Sequence, residues 1–148
     1  MRPLIETPEE IEQLEAEARS WLGTDWVPDG AVKGGAVACH KLPSEIIRAR
    51  GFAGPLAPPR GGLKKEGLLK AMVEWLASHP EWFERVPDGK ENIRPGDVLV
   101  TDEGYGHLAL ALSRCNAIHC WRLDGVQIQS YLADNCRVVG VWRPLRMD

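Results

Sequence analysis

The sequence predicts an α+β protein in which N-terminal helices pack on a C-terminal antiparallel β-sheet. Apolar residues recur at helical spacing up to about Ser78, and after Arg94-Pro95-Gly96-Asp97 the period shortens to the two-residue alternation of strands. Size supports the same reading. A chain of 148 residues can bury a sufficient core without disulfide or metal staples, so residues 1–148 are read as one domain.

The elements follow in order. Thr7, Pro8, Glu9 and Glu10 form a helix start: a hydroxyl cap, a proline at the first helical position and acids that oppose the dipole. Ile11, Leu14, Ala18 and Leu22 continue at helical spacing, so the first helix is expected to run to about Leu22 and to end at Gly23. Residues 23 to 38 read as a loop, with turn chemistry at Pro28, Asp29-Gly30 and Gly34-Gly35. A second helix is expected from Cys39 to about Arg50, carried by Leu42, Ile46, Ile47 and Ala49 and closed by Gly51. The Gly/Pro-rich stretch Gly51 to Gly62 is a loop. Leu63 to about Ser78 returns to helical periodicity through Leu68, Leu69, Met72, Trp75 and Leu76, and His79-Pro80 ends it. Strands are then expected at Val98–Val100, His107–Leu112, Ala117–Trp121, Val126–Ile128 and Arg137–Trp142, joined as a meander.

Composition excludes several classes. The hydrophobic share of 44% and charged share of 26% are those of a globular protein rather than a disordered one. Eighteen basic against 21 acidic residues give a net charge of −3, which offers no basic excess for a nucleic-acid backbone. No apolar run reaches the ~20 residues of a membrane span, and the first residues lack a secretion signal, so the chain reads as cytoplasmic, or as carried by a phage particle or a signal-less export route. Oligomeric state is not written in it.

The cysteines, Cys39, Cys115, Cys120 and Cys136, read as thiols. No paired spacing of metal-ligand type occurs, and His119 beside Cys120 would point to opposite faces of a strand, so no metal and no cofactor is expected. A nucleophilic thiol wants a helix N-terminus, which is where Cys39 is expected, and a general base from another element. His107 opens a strand just after Gly104-Tyr105-Gly106, and His119 falls on the next strand, able to orient its imidazole. On composition and spacing alone the packing reading of these three residues prevails. Cys115, Cys120 and Cys136 read as packing residues, His79 as a helix C-terminal residue, and Asp97 and Asp102 as turn formers. Trp21, Trp75, Trp82 and Trp142 read as core or half-buried; Trp26 and Trp121, nearer the candidate site, read as groove walls.

Three segments add a resemblance. WLGTDWVPDGAVKGGAVACHKLPSEIIRARGF resembles the nucleophile segment of the NlpC-type cell-wall cysteine peptidases, a papain-like family. GDVLVTDEGYGHLALAL is similar to that family's strand pair, with its Gly-Asp and Gly-His-x-Ala signatures. NAIHCWRLDGVQIQSYLADNCRVVGVWRP resembles its ending, and the closing Trp-Arg-Pro resembles phage-tail-like members. The resemblance implies a papain-like fold, Cys39 as nucleophile, His107 as base, His119 as third polar residue, and Trp26, His40 and Trp121 near the substrate. The implied substrate is a peptidoglycan-derived stem peptide or related amide, hydrolysed without a cofactor. The chain departs from the family pattern at Ala38 and His40 beside the cysteine, at Trp26 in place of a tyrosine, and at Pro43 inside the helix. The alternatives are a module that keeps the fold without the chemistry, and an acyltransferase using the same residues.

Overall fold

The computed structural model describes residues 2–27, 30–55, 65–104 and 106–147. The expected turn at Pro28 and Asp29, the loop from 56 to 62, the helix start at Leu63, and Tyr105 lie outside those residues.

A short strand, β1 (Arg2–Pro3), precedes the first helix, α1 (Pro8–Arg19). The Thr7 hydroxyl accepts the Glu10 N–H at 3.1 Å, and the Glu10 carboxylate accepts the Thr7 N–H at 2.9 Å, a reciprocal cap behind Pro8. Leu14 and Ala18 form the buried stripe, and Gly23, at φ 83°, turns the chain away. The segment expected as loop contains a small sheet of β2 (Asp25–Trp26), β3 (Ala31–Val32) and β4 (Ala36–Val37), with β4 in the middle. Strands of two residues are too short for an alternating pattern to register.

The second helix, α2 (Leu42–Ala49), starts at Leu42 rather than at Cys39. Pro43 is the reason, since it has no N–H to donate to the Cys39 carbonyl. The Ala38 carbonyl accepts the N–H groups of Lys41 and Leu42, both at 3.1 Å, and the regular ladder resumes where Glu45 donates to Lys41 at 2.9 Å. Cys39 and His40 therefore stand on the turn that feeds the helix, with Pro43 in the first turn, where proline is tolerated. The third helix, α3 (Lys65–Ala77), ends as expected before His79, whose Nδ1 donates to the Trp75 carbonyl at 2.7 Å. Among the described residues no helix is long and apolar enough to cross a membrane.

The remaining strands are β5 (Phe83–Arg85), β6 (Val98–Asp102), β7 (Gly106–Ala111), β8 (Asn116–Trp121), β9 (Gly125–Ser130) and β10 (Val138–Arg146). From β6 to β9 each pairs antiparallel with the next, but β10 does not extend that meander. It returns to the free side of β6, pairing Trp142 with Val98, and itself receives β1 and β5, so the order is β1-β10-β6-β7-β8-β9 with β5 also on β10. The return segment is tied down by Lys90 Nζ, which donates to the carbonyls of Ala133 at 3.1 Å and Cys136 at 2.9 Å.

Alternation along these strands divides two cores. Val98, Val100, Leu108, Leu110, Ile118 and Trp142 pack with Leu14, Ile46 and Met72 of the three helices. Their neighbours Leu99, Ala109, Ala111, Ala117 and Val141 face the other side, against Val86, Ile93 and Tyr131. The larger residues of β7 thus face the helices, and its alanines lie where loops approach closely.

Asp97 is more than a turn former. Its Oδ1 accepts Arg143 Nε at 2.8 Å, and its Oδ2 accepts Arg143 Nη2 at 2.9 Å and the Arg94 N–H at 2.8 Å. Burial raises the Asp97 carboxyl above its ordinary value, opposed by the guanidinium beside it. Asp102 does form its turn, accepting the Gly104 N–H at 2.9 Å. Asp97→Ala removes the carboxylate and leaves Arg143, among the described residues, its hydrogen bond to the Asn92 carbonyl. Urea unfolding should show a loss of about 3–5 kcal/mol, and pairing Asp97→Ala with Arg143→Met should recover part of it because no unpaired charge remains.

Candidate active site

His107 enters β7 just after Gly106, and that glycine is required by packing. A Cβ at position 106 would lie 2.5 Å from the backbone nitrogen and 2.6 Å from the Cα of Leu69, so α3 rests directly on the strand backbone. The next side chain, on the opposite face, is His107. Antiparallel pairing of β7 with β8 brings His119 to that same face, and His107 Nε2 lies 3.0 Å from His119 Nδ1. The two rings are perpendicular, at 90° with centroids 5.2 Å apart. Trp121, two residues further along β8, stacks on His107 at 5.0 Å and 17° and meets His119 edge-on.

Both imidazoles are buried. Burial, reinforced by the neighbouring His119, lowers the His107 pKa to about 3. Burial also lowers that of His119, opposed by its bond to Gln129. At neutral pH the pair is therefore uncharged, and each ring holds one proton and one lone pair. His119 Nε2 lies 2.9 Å from Gln129 Oε1, and Trp121 Nε1 donates to the same oxygen at 3.4 Å. A cavity of about 120 Å³ opens beside the pair, lined by His107, His119, Trp121 and Gln129 and also by Glu103 and Tyr131.

Cys39 is half-buried and packs against the helix-side core at the entrance to α2, a helix that touches both β7 and β8. Burial, with Cys39 close by as a second cause, pushes the Cys120 thiol up to about 12. His40, expected near the substrate, is 3% exposed and enclosed by protein. Trp26 is half-buried on β2 beneath the Arg122 guanidinium, 5.7 Å from the ring centroid, and does not line the cavity beside the histidines, whereas Trp121 does. Cys120 is buried and Cys136 half-buried, but Cys115, expected to pack, is exposed at a turn where its N–H donates to Ser113 Oγ at 3.2 Å. Among the described residues no three acidic, histidine or cysteine side chains converge as metal ligands. The residue that sequence reasoning missed is Gln129. Its only signal is parity: Gln127 and Gln129 are polar at alternate positions of β9, and Gln127 is paired with His119.

No family model and no curated protein matches the sequence. In three dimensions the chain is similar to an NLP/P60-family protein from Staphylococcus aureus subsp. aureus Mu50 described as similar to lipoprotein, with a TM-score of 0.64 and 16% identity. The chain has an NlpC/P60-type fold. The match covers 98% of this chain and 44% of the other, so the chain spans less than half of that protein's length.

Two expectations follow. Gly106→Ala should push α3 off β7 and cost about 1–3 kcal/mol by overpacking, measured by thermal unfolding. The second concerns acid. An unfolded imidazole titrates near 6.5 and folded His107 near 3, so below 6.5 the unfolded state binds a proton that the folded state does not. The stability contributed by neutral His107 is full above pH 6.5 and is lost as pH falls toward 3, by up to about 1.4 kcal/mol per pH unit. Urea unfolding across that range should give a shallower pH dependence for His107→Gln than for the unsubstituted protein.

Proposed function

We propose that residues 1–148 form a single thiol hydrolase domain that cleaves amide bonds in peptidoglycan-type stem peptides. The observation that carries this is the buried, neutral imidazole pair of His107 and His119, joined at 3.0 Å on adjacent strands. A neutral imidazole holds the lone pair that a proton acceptor needs. Cys39 Sγ attacks the amide carbonyl carbon as His107 takes the thiol proton. The C–N bond then breaks, the amine leaves with that proton, and a thioester remains. Water adds to the thioester with His107 again as base, releasing the carboxylate and restoring the thiol. His119 orients His107.

The NlpC/P60-type fold supports the choice of substrate, and the closing Trp142-Arg143-Pro144 supports a phage-tail-like branch. Trp121, and Trp26 farther off, are assigned to the groove walls, while buried His40 is assigned to the packing behind the thiol. The start of α2 at Leu42 favours one competing reading, a module that keeps this fold without the chemistry, since Cys39 stands outside the helix.

A thiol-directed activity probe separates the two. Mass spectrometry should find the label on Cys39, lost in Cys39→Ala, and ahead of exposed Cys115; labelling confined to Cys115 rejects the hydrolase. Muropeptides should be cut and unstructured L-peptides left largely intact. His107→Gln should lower turnover by about 10²- to 10⁴-fold.

A further inference from the structure

Which nitrogen of His107 carries its proton is decided outside the pair itself. The His107–His119 contact can run in two directions: His107 Nε2–H donating to His119 Nδ1, or the reverse. Each direction leaves a different atom of His107 with the lone pair. In the first, Nε2 is protonated and Nδ1 is basic. In the second, Nδ1 is protonated and no basic atom remains outside the pair.

The choice is fixed at Gln129. Its Oε1 is shared by His119 Nε2 at 2.9 Å and Trp121 Nε1 at 3.4 Å. An indole nitrogen can only donate, so the Gln129 atom facing it must be the oxygen. The other end agrees, because Gln129 Nε2 donates to Gln127 Oε1 at 2.9 Å. An oxygen facing His119 Nε2 requires a proton on that nitrogen. His119 Nδ1 then holds the lone pair, and His107 must donate to it from Nε2. Register makes this possible: Gln129 lies opposite Ala117, whose small side chain leaves room for the amide to reach diagonally to His119.

We propose that Gln129 is a positioning residue that sets the tautomer of both histidines, so that His107 presents its lone pair at Nδ1. It acts through His119 and touches no reacting atom. The catalytic value of this tautomer rests on the Cys39–His107 chemistry proposed above; the tautomers themselves do not.

The test therefore reads both. Imidazole ¹⁵N spectra of the full chain at neutral pH should show His107 and His119 each protonated at Nε2. Gln129→Met removes the acceptor at nearly constant length and should give mixed tautomers at both histidines, whereas Gln129→Glu, which can only accept when ionised, should keep the original ones. Alkylation of Cys39 by iodoacetamide should slow roughly 2- to 10-fold in Gln129→Met, the factor of one ordinary hydrogen bond, and recover in Gln129→Glu. A His107 protonated at Nδ1 in the unsubstituted protein overturns the inference. So do unchanged tautomers in Gln129→Met. If the tautomers shift while Cys39 alkylation does not, Gln129 keeps its assigned role and the thiol–imidazole reading fails.

Discussion

The two-residue period of β7 constrains everything around it. Because successive side chains point to opposite faces, Leu108 and Leu110 must enter the helix-side core if His107, Ala109 and Ala111 are to face away from it. A slip of one residue would exchange the leucines and the imidazole between the two faces. The same parity, passed through the β7–β8 pairing, places His119 and Trp121 beside His107, and through β8–β9 it brings Gln127 and Gln129 alongside them. Gly106 extends the constraint across the sheet, since only a residue without a side chain lets α3 rest on the strand backbone where β7 begins.

Two buried polar groups shape the molecule in different ways. Asp97 stays within an ion pair, sharing both oxygens with Arg143 and accepting the Arg94 N–H, and so ties the start of β6 to β10. Without the partner such a burial would cost several kcal/mol. The histidines avoid charge altogether. Burial favours their neutral forms, and the bonds between them and to Gln129 satisfy ring nitrogens that water would otherwise serve.

Much of this was legible in the sequence, and the reasons are local. The Thr7–Glu10 cap and the alternation from Val98 to Ile128 are written in neighbouring residues, and α1 and the strands β6 to β9 follow them. The 12-residue offset of His107 and His119 was readable because one short turn joins their strands. What stayed hidden depends on distant partners or on very short elements. The return of β10 to β6 is decided by tertiary packing, and Arg143 meets Asp97 across a separation of 46 residues. The strands β1 to β5 have two or three residues each, too few to show a period. The late start of α2 is the instructive case: Pro43 was visible, but apolar spacing outweighed the missing N–H, and the backbone bond decided.

That late start shifts the chemical burden within the proposed mechanism. A helix dipole acts mainly within its own first turn, and α2 is short, with Cys39 ahead of Leu42. Little activation of the thiol can come from that source, so proton removal by His107 has to supply it. A base with a pKa near 3 does not hold a preformed ion pair; it takes the proton as the sulfur attacks and becomes cationic only then. Burial, which keeps the resting imidazole neutral, would penalise that cation unless something faced it. Trp121 stacks on His107 at 5.0 Å, presenting the negative face of the indole ring to the position where the charge develops. His119 Nδ1 accepts a hydrogen bond from His107 Nε2–H through the same step, and a hydrogen bond from a charged donor is stronger than one from a neutral donor. Both interactions strengthen as His107 becomes charged, which is the property a group must have to lower a barrier rather than merely bind.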